Sequence, residues 1–244
     1  MAPAATAMRI HRALARAGVA SRRLAEQLVV AGRVRVNGTV AKTGQTVDVA
    51  HDHITVDGKA IEAPAKPTWL LLHKPPGVIT TRKDPEGRTT VFDLVPDTPG
   101  LTYVGRLDYM TEGLLLLTTD GEAAHRLTHP STEIERTYVA TVRGNAPAAV
   151  VAARRGVMLD DGLVRPDAVE ATPLGDRTWE FTISLSEGRN REVRRLCEAL
   201  GLSVLRLVRV RFGPLELGTM PVGAVRALTM RERRLLEAVG RPTG

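Results

Sequence analysis

The sequence predicts an α+β protein in two parts: a small helix-and-hairpin domain at residues 8–62, then a larger domain at residues 69–240 with a mixed, largely antiparallel sheet and flanking helices. Three observations carry this expectation. Hydrophobic periodicity changes across the proline-containing, apolar-poor stretch Glu62–Thr68, which reads as a linker at residues 63–68. Beyond it, strand candidates outnumber helix candidates without strict βαβ alternation. The length of 244 residues accommodates one domain or two, at ~150 residues each.

Each element follows from local chemistry. Residues 1–7 read as a disordered, Ala-rich tail. Ile10, Leu14 and Ala17 share a helical face that Gly18 ends. Ser21 caps a second helix, with Leu24, Ala25, Leu28 and Val29 as its buried stripe and Gly32 beyond its end. Val34 and Val36 alternate with Arg33 and Arg35, and Asn37-Gly38 supplies a two-residue hairpin turn. Val40, Val47, Val49, Ile54 and Val56 continue as short strands to a second turn at Asp57-Gly58. In the larger part, strands are expected at 69–73, 101–104, 113–118, 136–142, 165–171, 178–185 and 203–212. Helices are expected at 120–128, 147–155, 190–200 and 229–239. Pro147 suits the first turn of its helix, and Thr229 with Glu232 has capping-box spacing.

Composition excludes several classes. With 43% hydrophobic and 25% charged residues, the chain can bury an ordinary core, although only 3% are aromatic. The single cysteine, Cys197, rules out a disulfide framework and multi-cysteine metal sites. No apolar run nears the ~20 residues that span a bilayer, and no secretory signal is visible, so the expectation is cytoplasmic with no membrane partner. The formal charge of +7 is concentrated in two places. Residues 1–64 carry nine Lys/Arg against five Asp/Glu, and residues 189–211 carry seven Arg against two Glu. Two basic patches of this kind suit a polyanion whose backbone touches both.

Neither a P-loop nor a dinucleotide fingerprint is present, so no cofactor is expected. His125/His129 lack a nearby carboxylate to complete a metal site and are followed at once by Pro130, and His51/His53 flank Asp52 in a turn, so no metal is expected. Cys197 lies on a helix face with Val193, Leu196 and Leu200 and reads as a buried small hydrophobe. Two stretches remain. In Gly105–Gly121, a tight turn holds Asp108 just ahead of the wholly apolar strand Leu114–Leu117, which must be buried on both faces. Such a carboxylate is either aimed at a ligand from the rim of the core or merely caps its own turn. In Leu185–Gly201, a Gly-Arg-Asn turn opens a helix that fans out Arg191, Arg194 and Arg195, cations suited to phosphate or carboxylate. Arg206, Arg209 and Arg211 extend that patch along the next strand.

Gly105–Gly121 closely resembles the signature of pseudouridine synthases of the RsuA/RluB type, in which the aspartate of Gly-Arg-Leu-Asp is catalytic. Leu72–Thr80, Arg136–Ala140 and Gly188–Leu196 resemble that family's other blocks, in the family's order. Ser21-Arg-Arg and Gly32–Gly38 resemble the small RNA-binding domain shared with ribosomal protein S-four. The resemblance covers residues 8–240. It implies isomerisation of a specific uridine in ribosomal RNA, with large-subunit rRNA favoured by the Arg-Asn-Arg block, by a monomer that uses no cofactor.

Carried over by motif position, the resemblance makes Asp108 the catalytic carboxylate, which either attacks the sugar or removes a ribose proton. It sets Tyr138 against the flipped uracil and gives Arg194 the task of keeping Asp108 ionised and oriented. Lys74 and Arg106 are expected to touch the RNA backbone or brace the site, Arg189, Arg191 and Arg195 to meet RNA around it, and Arg22, Arg23, Arg33 and Arg35 to add phosphate contacts. Two positions depart from the family's pattern: Met110, where a polar residue is common, and Glu192, where Gln often stands. The competing expectation is a non-catalytic RNA-binding or ribosome-assembly factor, for which Asp108 is dispensable.

Overall fold

The structure, a computed structural model, describes residues 7–62 and 67–239. The expected tail at 1–6, the expected linker at 63–66 and Gly240 lie outside the described residues. The chain divides into two compact units. The first holds the N-terminal segment through Thr68 together with Asp97–Thr102 and Thr118–Gly121, and the second holds the rest. By sequence, the two short segments fall in the larger domain. In the first segment Pro99 and Gly100 press closely on Gly18 and on the backbone of Ala15 and Arg16, and in the second Thr118 and Thr119 hydrogen-bond the backbone of Thr68.

In the first unit, Ala7 is not tail: it begins β1 (Ala7–Arg9), which pairs with β4 and buries Met8. Helix α1 (Ile10–Arg16) buries Ile10, Ala13 and Leu14, and α2 (Arg22–Val30) buries Ala25, Leu28 and Val29. The Ser21 hydroxyl accepts the Leu24 amide at 3.3 Å, as an N-cap should. Leu24 itself, at the first turn, stays exposed beyond the reach of that core. Strands β2 (Val34–Val36), β3 (Thr39–Val40), β4 (Thr46–Asp48), β5 (Ile54–Val56) and β6 (Lys59–Ala60) complete the unit's N-terminal segment. Four of them form an antiparallel sheet in the order β3-β2-β5-β6. Asn37-Gly38 and Asp57-Gly58 both take positive φ at each central residue, which matches the right-handed twist of short hairpins.

The second unit is built on β7 (Trp69–Lys74), β8 (Thr102–Val104), β9 (Glu112–Thr118), α3 (Gly121–Thr128), β10 (Arg136–Arg143) and α4 (Ala146–Arg155). It continues through β11 (Val157–Leu159), β12 (Gly162–Val164), β13 (Ala168–Gly175), β14 (Thr178–Leu185), α5 (Glu192–Ala199) and β15 (Ser203–Phe212). It closes with β16 (Leu215–Glu216), β17 (Val225–Ala227) and α6 (Met230–Ala238). Nine strands form one mixed sheet along the path β13-β14-β10-β15-β9-β7-β17, with β16 on β15 and β8 on β9. Residues of α3 and α6 join one apolar cluster, and residues of α4 and α5 join the other. The Leu114–Leu117 run is fully buried, as a strand apolar on both faces requires. Among the described residues no helix is long and apolar enough to cross a membrane.

Three expectations shift. The strand placed at 165–171 starts at Ala168, because residues 157–164 form their own hairpin and Pro166 breaks the ladder between them. The helix placed at 190–200 starts at Glu192, since Arg191 takes a left-handed conformation with φ of 49°. The edge strand β17 has no counterpart in the sequence reading; its three residues give no periodicity to read.

Strand β9 meets β15 in a parallel pairing, Glu112 opposite Val208 and Gly113 opposite Arg209. Gly113 has φ of +116°, and a Cβ there would lie 2.3 Å from the Arg209 carbonyl oxygen. Only glycine tolerates both constraints. Gly113→Ala is therefore expected to destabilise the second unit by about 3 kcal/mol or more, read as a lowered urea midpoint.

Candidate active site

A small cleft of about 60 Å³ opens where the turn after β8 faces the entry to α5. The turn contributes Arg106, Leu107, Asp108 and Thr111, the strands contribute Tyr138, Leu185 and Leu207, and the approach to α5 contributes the segment Glu187–Arg194.

The turn is held through its backbone. Five consecutive carbonyls, Leu107 to Thr111, each have a donor. Thr80 Oγ1 donates to Leu107 O at 2.9 Å and the Thr111 amide to Asp108 O at 3.0 Å. Tyr109 O accepts from the Gly77 amide at 2.9 Å and from Lys74 Nζ at 3.1 Å. Arg194 Nη2 donates to Met110 O at 3.0 Å, and Lys74 Nζ donates to Thr111 O at 2.9 Å. A third bond from Lys74 goes to Pro75 O at 2.9 Å, so all three ammonium protons find acceptors. With its backbone so committed, the turn presents the half-buried Asp108 side chain in one place. Among the described residues, no hydrogen bond or ion pair engages the Asp108 carboxylate, whereas Glu187 is taken by Arg189 Nε at 2.8 Å.

The sequence-predicted residues meet different fates. Asp108, Tyr138 and Arg194 come together around the cleft. Arg194 does not close an ion pair on Asp108; it reaches the turn's backbone and, at 3.5 Å, Thr111 Oγ1. Burial and then Arg191 lower its pKa, opposed by the charge of Asp108. Of the two roles expected of Lys74, RNA contact and bracing the site, only the second holds: it has no exposed surface at all and cannot touch RNA. Burial pushes its ammonium down to about 8, opposed by Asp108 and Glu112. Arg189 and Arg195 are also drawn inward: both reach Asp161 in the turn between β11 and β12, Arg195 Nη2 at 2.7 Å. Arg195, chiefly, holds that carboxylate down at about 2. These two arginines tie α5 to the hairpin and do not form an open phosphate clamp.

The cations on the exposed surface are fewer than the sequence count. Arg106 and Arg191 are exposed, and among the described residues no side-chain bond engages either. The same holds for Arg22 and Arg23 in the first unit. Arg33 is paired with Asp57, Nε to Oδ1 at 2.8 Å, and Arg35 donates to Gly38 O at 2.9 Å. The expected extension along β15 is largely spoken for. Arg206 forks onto Glu112 at 2.6 and 2.9 Å, and buried Arg209 donates to Leu114 O at 2.8 Å. The buried Glu112 also meets His73 Nε2 at 3.0 Å. Cys197 is fully buried and its thiol is pushed up to about 12 by burial, so it packs and does not react.

Sequence reasoning did not find the apolar walls. Leu185 and Leu207 look like any strand residues and carry no signal. Glu192 drew notice only as a departure. It is buried at the first turn of α5, with Oε2 accepting the Arg189 amide at 3.1 Å and Oε1 only 3.7 Å from Arg189 Nε, beyond hydrogen-bond reach. Burial first, and Glu187 second, raise its pKa to about 7.

Residues 68–199 match the RNA pseudouridylate synthase family and residues 8–54 match the S4 domain. The ribosomal large subunit pseudouridine synthase B of Pseudomonas aeruginosa is 46% identical over 243 residues, which cover 95% of this chain and 62% of that protein. The Bacillus subtilis protein of the same name is 41% identical over 235 residues, 95% of this chain and 96% of the relative. A crystal structure of a pseudouridylate synthase superposes with a TM-score of 0.64 at 27% identity, covering 94% of this chain and 99% of that one. The chain thus spans less than two thirds of the length of its Pseudomonas relative. These matches define the class: a pseudouridylate synthase domain preceded by an S4 domain. The chain belongs to the RNA pseudouridylate synthase family.

The geometry sets two measurable outcomes. Lys74→Met takes one donor from each of three carbonyls, of which Tyr109 O keeps the Gly77 amide, and is expected to cost on the order of 3 kcal/mol in urea unfolding. For Glu192, a folded pKa near 7 against 4.5 means the native state holds a proton that the unfolded state releases first. Stability is then greatest below 4.5 and falls as pH rises to about 7, at up to ~1.4 kcal/mol per pH unit. Glu192→Gln should flatten that slope in unfolding curves across the same range.

Proposed function

We propose that this chain converts a specific uridine of large-subunit ribosomal RNA to pseudouridine, as a cytoplasmic monomer, with Asp108 as the catalytic carboxylate. One observation carries the reading: Asp108 lies at the mouth of the cleft with both carboxylate oxygens uncommitted, on a turn whose carbonyls are all bonded. The names of the relatives support the substrate class.

The isomerisation breaks the bond from ribose C1′ to N1 of uracil, turns the base over and rejoins C1′ to C5; the C5 proton is lost and N1, freed from the sugar, gains one in its place. Neither hydrolysis nor net redox change is involved, so a single held carboxylate suffices for bond making at the sugar. The target base must leave its stack, and Tyr138, Leu185, Val193 and Leu207 offer it apolar surface. Arg194 acts through the turn: it fixes Met110 and Thr111 and thereby the direction of Asp108. The exposed Arg106 and Arg191 at the rim, and Arg22 and Arg23 on the S4 domain, supply phosphate contacts.

Asp108→Asn is expected to lower isomerisation by about a thousandfold or more while RNA affinity is kept. Tritium release from labelled uridine in transcribed large-subunit rRNA measures the first, and filter binding the second. Undiminished release by a folded Asp108→Asn variant would remove Asp108 from the catalytic role, and absence of release by the wild type would return the chain to the class of RNA-binding factors.

A further inference from the structure

A second and wider depression, of about 390 Å³, adjoins the first and shares Arg106, Leu107 and Asp108 with it. Its other walls are the 79–85 loop, Tyr103, Tyr109 and Asn190. The volume lies within the range of small-ligand sites, and apart from Arg106 and Asp108 none of its lining serves the chemistry assigned above.

Its walls are preformed. Thr80 Oγ1 ties the loop to the Asp108 turn, and Ile79 bridges to Thr90. Asp84 closes the loop on itself by accepting the backbone amide, Nε and Nη2 of Arg88 at 2.8, 3.0 and 2.7 Å. The lining joins one aromatic face to two free cations. Tyr109 keeps 43% of its surface exposed although the Arg88 guanidinium lies 6.0 Å from its ring centroid. Lys83 and Arg106 are exposed, and among the described residues no side-chain bond engages either. An exposed ring beside unpaired cations is the chemistry that takes a base and its phosphate from a single strand. Because the two clefts share the Asp108 turn as a common wall, a strand that delivers one nucleotide to the first cleft brings the adjacent nucleotide to the second.

We propose that this second cleft receives the nucleotide next to the target uridine, with its base stacked on Tyr109 and its phosphate met by Lys83 and Arg106. The proposal rests on the uridine-isomerising reading of the first cleft and adds that the chain reads one flanking position through stacking.

The test uses the full chain and a heptaribonucleotide of six uridines around a central 2-aminopurine, whose fluorescence changes on stacking. The wild type is expected to change that fluorescence on binding. Tyr109→Phe should keep the change, and Tyr109→Ala should lose it and bind about tenfold more weakly. Unaltered signal and affinity in Tyr109→Ala would overturn the proposal, as would equal loss in Tyr109→Phe and Tyr109→Ala. Tritium release from large-subunit rRNA, measured in parallel, separates the two readings. Release by the wild type with no Tyr109 effect on the heptamer removes the flanking site and leaves the isomerase. A Tyr109-dependent signal without release removes the isomerase and leaves an RNA-binding cleft.

Discussion

A buried ammonium organises the second unit's cleft. Lys74, at the end of β7, has no contact with solvent and spends its three protons on Pro75, Tyr109 and Thr111. Burying such a charge is unfavourable unless every proton finds an acceptor, and these carbonyls supply them. The arrangement works in both directions. The carbonyls make the buried cation tolerable, and the cation fixes a loop that has no sheet ladder of its own. Thr80, Gly77 and Arg194 complete the set, so the Asp108 turn is held from three separate elements. The side chain at its apex can then remain unbonded without being free to wander.

That division between a bonded backbone and an open carboxylate explains how the surrounding arginines are used. An arginine-rich segment suggests a cationic surface, yet most of these guanidinium groups face protein acceptors. Arg189 and Arg195 converge on Asp161, Arg206 on Glu112, Arg194 on the turn, and Arg209 on the backbone of β9. Their planar forks suit such bidentate or converging bonds better than lysine would. Of the arginines named above, those left for a phosphate backbone are a smaller group, Arg106 and Arg191 near the cleft and Arg22 and Arg23 on the first unit. The basic surplus is therefore as much internal scaffolding as external field.

Much of this was legible in the sequence, for physical reasons. The hairpin turns at Asn37-Gly38 and Asp57-Gly58, the Ser21 and Thr229 caps and the Leu114–Leu117 strand each rest on local chemistry, and each formed as expected. The Asp108, Tyr138 and Arg194 blocks were recognisable by motif although far apart in the chain. Direction was the part that could not be read. A lysine in an apolar strand ahead of two prolines looks like a surface residue, because its acceptors come from a turn more than thirty positions away. The pairing of Arg195 with Asp161, likewise, depends on a hairpin of three-residue strands that leaves no periodic trace. Leu185 and Leu207 become cleft walls only when their strands are brought to the same place.

Cys197 has a practical corollary. It is the chain's single cysteine, sealed on the buried face of α5 with its thiol kept protonated by burial. A native thiol that does not ionise also does not couple to maleimides or form mixed disulfides under ordinary handling. The unmodified sequence is thus already a silent background for spectroscopy. A cysteine introduced at any exposed position becomes the sole labelling point for a spin probe or a fluorophore, and no residue of the core has to be exchanged to prepare for it.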